Sequence, residues 1–315
     1  MKFAIGPHDL PVGPLTKGLK AVFMKAYDNA KEKSLVSRIA TVVKSDSDSE
    51  DYSWLGAAPM VREFLGSRQA KDLANFNYNI RNKTWENTLG IKRTDFEDQK
   101  MGMISTRIED LAVKAAEYPE KLLMEFLTSA LGSAAAPYLC YDGQGLFDTD
   151  HPTPVGGSAN QDNKDAGALA IATLWAGIAK MQGYRDDNNE ILGMKPDVLL
   201  VEPCLEQTAR ELLEVNGAAT STTAAAVLAR KGIEVEVSPY LWSTDTVANG
   251  NWFLLDTKHP IKGVVFQQRT AIEFGSLKED SESGFMLDEF LFGTRARYNV
   301  GSGFWPAIYG NAGAG

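Results

Sequence analysis

Apolar and polar positions along this chain change period several times, and each change marks an element. Near the start, Leu15, Leu19, Val22, Phe23, Ala26 and Tyr27 recur at helical spacing, and Leu35, Ile39 and Val42 continue the apolar face. Gly13 and Pro14 precede this helix, and proline is well tolerated at a helix start. The run Ser45-Asp46-Ser47-Asp48-Ser49-Glu50-Asp51 then breaks the pattern, so residues 1–45 are expected to form an arm joined to the body through a solvated linker or strand connection. Over 74–91, Phe76, Tyr78 and Ile80 alternate with polar residues, and Trp85, Leu89 and Ile91 share one parity after a turn. That reads as a β-hairpin with one apolar face. A lone two-stranded ribbon is marginal in water, so this face must lie on something, and a neighbouring subunit is one option.

Residues 104–131 carry Ile104, Ile108, Leu111, Ala115, Leu122, Leu123, Phe126 and Leu127 in a helical stripe. The helix is roughly 40 Å long at the usual rise per residue. Pro119 is expected to kink it or split it in two. Beyond Tyr138 strands and helices alternate. Asp142-Gly143 suggests a tight turn, 155–165 a polar loop, 166–182 a helix, 197–201 a buried strand and 205–215 another helix. Ile233-Glu234-Val235-Glu236-Val237 alternates as a half-exposed strand. Asn249-Gly250, between Trp242 and Trp252-Phe253-Leu254-Leu255, signals a hairpin. The last third is mainly strand: 264–266, 272–274 and 285–298. The pattern is that of an α+β chain whose second half is α/β.

Composition narrows the function classes. The 315 residues are 44% hydrophobic and 23% charged, ordinary for a chain that buries a core, and no apolar run approaches the ~20 residues that span a bilayer. Net charge is -9. The longest basic clusters, around Lys92-Arg93 and Arg230-Lys231, are too small for a phosphate-neutralising patch, so tight nucleic-acid binding is not expected. The N-terminus lacks a signal-peptide pattern, so Asn82-Lys83-Thr84 does not act as a glycosylation site. Cys140 and Cys204 are too few for a disulfide framework or a thiolate zinc site.

One block looks chemical: Leu139-Cys140-Tyr141-Asp142-Gly143-Gln144-Gly145-Leu146-Phe147-Asp148-Thr149-Asp150-His151-Pro152. Cys140, Asp148, Asp150 and His151 could serve a metal- or thiol-dependent α/β hydrolase. Against this, a metal site needs three or more converging ligands, and the chain has three histidines, His8, His151 and His259. Nothing in the sequence lowers the thiol pKa or supplies an oxyanion hole. The Ser45–Asp51 run fails the calcium-loop template, with Asp51 where glycine is required and Ala57 where the bidentate glutamate belongs. Nucleophile-elbow, phosphate-loop and His-Glu-x-x-His patterns are missing. The expectation is therefore no catalytic residue, no cofactor and no metal, with Asp148 and its neighbours capping a turn.

Several blocks, in order, resemble the major head subunit of Mu-like bacteriophages and prophages. They are Ile39-Ala40-Thr41-Val42-Val43, Tyr52-Ser53-Trp54-Leu55-Gly56, Arg62-Glu63-Phe64-Leu65-Gly66 and Arg93-Thr94-Asp95-Phe96-Glu97-Asp98. Ala115-Ala116-Glu117-Tyr118-Pro119, the Leu139 to Pro152 block, Trp252-Phe253-Leu254-Leu255-Asp256-Thr257, Val264-Val265-Phe266-Gln267 and Arg295-Ala296-Arg297 follow. The resemblance implies a Hong Kong 97-type capsid fold and a structural, non-enzymatic role in an icosahedral head of hexamers and pentamers around double-stranded DNA. It implies an N-terminal arm (1–66), an E-loop hairpin (67–102), a peripheral domain with a long spine helix (103–136 and 261–292) and an axial domain (137–260 and 293–315). The implied partners are further copies of the chain, a separate scaffolding protein, a portal, a decoration protein and packaged DNA without tight specific binding, with no membrane. The implied location is the virion capsid, and the host bacterial cytoplasm before assembly. A chain that starts at Met1 without a coiled-coil extension suggests no cleaved prodomain, and no Lys–Asn set suggests covalent cross-linking. Leu15, Leu19, Phe23, Phe76, Tyr78, Ile80 and Trp85 are the expected subunit-interface residues, with Trp85 as the anchor because aromatics dominate interface energetics.

Overall fold

The computed structural model describes residues 12–52, 78–98, 100–152, 160–186, 189–213, 231–242, 250–277 and 289–313. Phe76 and the loop at 155–158 lie outside the described residues, as do Trp54 and the Arg62 to Gly66 block. The elements run α1 (Val12–Lys31), α2 (Val36–Ile39), β1 (Ala40–Lys44), β2 (Ser49–Asp51), β3 (Asn79–Arg81), β4 (Lys83–Lys92), α3 (Arg93–Glu97), α4 (Met101–Gly132) and β5 (Lys164–Asp165). They continue with α5 (Ile171–Gly183), β6 (Val198–Val201), α6 (Glu206–Leu213), β7 (Glu234–Val237), β8 (Trp252–Leu255), β9 (Val264–Leu277), β10 (Glu289–Ser302) and β11 (Ile308–Asn311). Two compact units share these elements: residues 1–35, 82–120 and 268–298, and residues 36–81, 121–267 and 299–315.

In the first unit, β4 pairs antiparallel with β10, from Glu289 opposite Lys92 to Tyr298 opposite Lys83. Alternation sends Phe290, Phe292, Thr294, Ala296 and Tyr298 inward, each buried. Phe290 and Phe292 share one core with Ile104, Ile108, Leu111, Ala112 and Ala116 on α4 and with Leu19, Phe23 and Tyr27 on α1. α1, expected to lie in the arm, packs here within its own chain. Phe23 is 0% exposed and Leu19 3%, and the Phe23 ring stacks on Phe274 with centroids 4.6 Å apart. An amphipathic helix beside an apolar sheet face buries its stripe there at about 1.5–3 kcal/mol per large side chain, without waiting for a neighbour.

Among the described residues, the expected hairpin at 74–91 does not form as a paired ribbon. β3 and β4 are separated only by Asn82, but β3 pairs with β2 (Ser49 opposite Arg81, Glu50 opposite Ile80, Asp51 opposite Asn79), and β4 pairs with β10. One intervening residue cannot reverse the chain into a two-residue hairpin turn, so each strand takes a distant partner. The polar break at 45–51 is an ordered turn between β1 and β2. The Glu50 carboxylate accepts the Asp46 and Ser47 N–H groups and the Ser45 and Ser47 hydroxyls at 2.9–3.1 Å. Those bonds, led by the Ser45 hydroxyl, hold its pKa below the usual glutamate value.

α4 is one helix through Pro119 and is not split. Proline removes a backbone hydrogen bond and costs about 3 kcal/mol in a helix interior. The stripe of Ile104, Ile108, Leu111 and Ala116 before it, and of Leu123, Met124, Leu127 and Leu131 after it, is buried throughout. That burial outweighs the proline penalty several-fold.

In the second unit a five-stranded mixed sheet runs β5-β11-β8-β6-β7. β6 and β8 pair antiparallel, β6 and β7 parallel, and every residue of β6, β8 and β11 is buried. Continuous burial, rather than alternation, identifies strands covered on both faces. α5 packs closely because Gly177 has no side chain: a Cβ there would stand 2.8 Å from the Tyr309 ring and 3.1 Å from Leu254. Trp242 closes a 3-10 turn (Pro239–Leu241) and is not part of a strand, and β8 pairs with β6 and β11. A strand hairpin across Asn249-Gly250 therefore finds no counterpart among the described residues.

Candidate functional site

The block around His151 is a connected and largely buried structure. Asp142 and Gly143 form the expected turn, with Gly143 in the left-handed region at φ +86° and the Gln144 N–H donating to the Asp142 carboxylate at 3.1 Å. An isolated bridge pairs Leu139 with Gly145 and another pairs His151 with Gln161. The His151 side chain is fully buried. Its Nδ1 lies 2.7 Å from Asp142 Oδ2, and its Nε2 lies 3.2 Å from Asn163 Oδ1. The ring stacks on Trp305 at 4.1 Å with planes 8° apart.

Asn163 organises this site, and sequence reasoning passed over it. It is 0% exposed. Its Nδ2 donates toward the carbonyls of Leu146 (2.8 Å), Ile308 (3.2 Å) and Trp305 (3.3 Å), while its Oδ1 accepts the Asp148 N–H at 2.9 Å. Buried polar groups require such partners. The only signal in the sequence was one asparagine in a polar loop, which is no signal.

Neither ligand convergence nor nucleophile activation is found here. Asp148 accepts the N–H groups of Gly145 and Thr149 at 3.3 and 2.7 Å, the capping role expected of it, and Asp150 is exposed. Among the described residues no group of three His, Cys, Asp or Glu side chains converges as metal ligands would. The buried Cys140 thiol points at the Gly303 carbonyl, 3.2 Å away. Burial, reinforced by Asp142, pushes its pKa well above the ordinary thiol value. A nucleophilic cysteine needs the opposite shift, because the thiolate is the reactive form.

The expected interface residues separate by location. Tyr78 and Ile80 belong to a small cluster with Tyr52 and Val265, and the Tyr78 hydroxyl accepts the Ser302 N–H at 2.6 Å. Gln267 ties the same cluster together, accepting from the Tyr52 hydroxyl at 2.7 Å and donating to the Ile80 carbonyl at 3.1 Å. Leu19 and Phe23 lie in the first unit's core. Leu15 falls on α1, and Phe76 lies outside the described residues. Trp85 is half-buried against its own chain. Its Nε1–H donates to the Tyr298 carbonyl at 3.0 Å, and its ring meets Tyr118 at 4.9 Å and Tyr298 at 6.0 Å. These rings border a cleft of about 270 Å³ that also touches Lys114, Asn87 and Ile272.

Trp85→Ala is accordingly expected to destabilise the unassembled subunit by about 2 kcal/mol, less than a fully buried tryptophan would cost. Urea unfolding of unassembled wild type and variant checks this. An unchanged midpoint with failed assembly would return Trp85 to the role of an intersubunit anchor. Large apolar side chains that are exposed include Val42, Met103, Ile191 and Trp242, the last 58% exposed, and the apolar pattern alone did not separate them from core residues.

Comparison with known proteins gives one consistent answer. The model of the family "Mu-like prophage major head subunit gpT" matches residues 12–170, 163–241 and 222–314. The Mu-like prophage FluMu major head subunit of Haemophilus influenzae is 30% identical over 298 residues, covering 94% of this chain and 72% of that protein. The major capsid protein of Escherichia phage Mu is 26% identical over 273 residues, covering 86% of this chain and 64% of that protein. Among solved structures, the procapsid of bacteriophage JBD30 matches with a TM-score of 0.55 and 29% identity, covering 95% of this chain and 75% of that one.

Proposed function

Because this chain belongs to the Mu-like prophage major head subunit family, and so is a structural capsid protein of Hong Kong 97-type fold and not an enzyme, we propose how its parts serve the shell. The observation that carries the reading is the family match, which runs in chain order from residue 12 to residue 314. Copies of the subunit group as hexamers and pentamers of an icosahedral head around double-stranded DNA. A separate scaffolding protein guides assembly in the host cytoplasm, a portal occupies one vertex, and a decoration protein binds the outside.

The second unit, with its mixed sheet, is the axial domain. The first unit, with the N-terminal part of α4 and the β4–β10 pair, is the peripheral domain. The E-loop at 67–102 draws on β3 and β4, which pair with β2 and β10 respectively. The net charge of -9 suits a container that should not grip its genome.

Electron microscopy of the chain expressed with its scaffolding protein tests the assembly reading. Closed shells of uniform diameter are the expected result. Only small discrete oligomers, under all solution conditions that keep the subunit folded, would overturn it.

A further inference from the structure

The sheet β1-β9-β10-β4 turns one face to the core, and its other face gathers arginines. On β10, Phe290, Phe292, Thr294, Ala296 and Tyr298 are buried, so Arg295 and Arg297 point the opposite way. The neighbouring strand is β9. At one end of this pair the Gly303 N–H donates to the Gly263 carbonyl at 2.9 Å, and at the other Phe274 stacks on Phe292. Counting six residues inward from the glycines, or five from the phenylalanines, sets Arg269 opposite Arg297 on the outward face. Like charges directly opposite each other destabilise a sheet. Arg269 is half-buried, its Nη1 is wholly buried without a hydrogen-bond partner, and among the described residues it makes no ion pair. Arg295 reaches Glu273 only at 3.8 Å, with both side chains more than half exposed, a contact that contributes little. Guanidinium charge is delocalised over three nitrogens, so an oxyanion on the accessible edge of Arg269 compensates the whole group.

We propose that Arg269, with Arg297 and Arg295 beside it, receives a carboxylate from a second copy of the chain in the shell, an inference that rests on the assembly reading above. The guanidinium fork matches a carboxylate in shape and binds it through two parallel hydrogen bonds. Charge favours a second copy as the source. The chain carries 41 Asp and Glu against 32 Lys and Arg, so a neighbouring copy presents carboxylates in excess. Packaged DNA suits the site less well. A duplex brings one negative charge per ~1.7 Å of its axis, and Glu273 and Glu86, the latter opposite Arg295 on β4, border the arginines. These two carboxylates repel the phosphates that flank a bound one. A single carboxylate side chain brings no flanking charges, and the arginines outnumber the two glutamates around it.

The test compares the full-length wild type with Arg269→Gln, as free subunits and as shells. Free variant subunits are expected to unfold at the wild-type urea midpoint, whereas shells should need about tenfold more subunit to form, because a charge-assisted pair is lost. A lowered midpoint would place Arg269 in the fold of its own subunit and overturn the proposal, as would shells that form at the wild-type concentration. Shells that form normally yet retain DNA poorly would assign the site to phosphate and overturn it too. In a second measurement, Arg269→Lys shells built from mixed nitrogen-15-labelled and unlabelled subunits are treated with a carbodiimide, which joins an amine to a carboxylate in contact with it. Mass spectrometry is expected to find position 269 linked to an Asp or Glu of another copy. Links only within one copy, or none, overturn the proposal and leave the assembly reading intact. Wild-type subunits that build no shells overturn both. If Arg269→Lys builds no shells, the Arg269→Gln comparison decides.

Discussion

Phe23→Ala is expected to unfold the first unit's core, not merely to weaken shells, with a loss of about 3–5 kcal/mol in subunit stability. The ring is completely buried, stacked between Tyr27 and Phe274, and surrounded by Ile104, Ile108, Phe96 and Phe292. Truncation leaves a ring-sized void among side chains on α1, α4 and β10, which cannot all move inward together. Deleting residues 1–35 should be worse, since it exposes the whole face that α1 covers. The measurement is urea or thermal unfolding of the unassembled subunit. If Phe23→Ala unfolds within about 0.5 kcal/mol of wild type, as surface substitutions do, while failing to build heads, then α1 is a detachable clasp after all.

That α1 has a buried stripe was legible from Leu19, Phe23 and Tyr27. Its partner was not, because helical periodicity reports that a face is covered and says nothing about what covers it. The same gap explains the strands at 79–92. Their alternation was read correctly, yet Ile80 and Trp85 were assigned to one hairpin because neighbours in sequence usually pair. The real partners are β2 for the strand before Asn82 and β10 for the strand after it, a relation with no local signature. The buried strand Val198–Val201 was plain from its unbroken apolar run, whereas Trp252–Leu255 was read as one arm of a hairpin across Asn249-Gly250 and pairs with β6 and β11.

The His151 site divides along the same line. Asp142-Gly143 as a turn and Asp148 as a cap followed from the turn chemistry of those residues. Cys140 as a buried, inert thiol followed from the lack of any activating neighbour. Asn163 and Trp305 were invisible, since each acquires its role only when the chain's final segment returns to the 139–151 turn. The residue that holds the site together was therefore the one that sequence could not single out.

Asn163 gives the second large expected effect. Asn163→Ala should cost about 3–5 kcal/mol, because buried groups left without partners cost ~1–3 kcal/mol each and several are stranded at once. The Asp148 N–H loses its acceptor, His151 Nε2 loses its polar neighbour, and the carbonyls of Leu146, Trp305 and Ile308 lose their donor. A cavity alone would predict something milder for so small a side chain. Asn163→Asp separates the two causes. It keeps the shape but replaces the amide N–H₂ with an oxygen that faces three carbonyls, so it should also destabilise by several kcal/mol, even though it adds a negative charge beside His151. Denaturant unfolding of wild type and both variants at one pH provides the comparison. If Asn163→Asp were as stable as wild type, the donated hydrogen bonds to the three carbonyls would not be what fixes the amide.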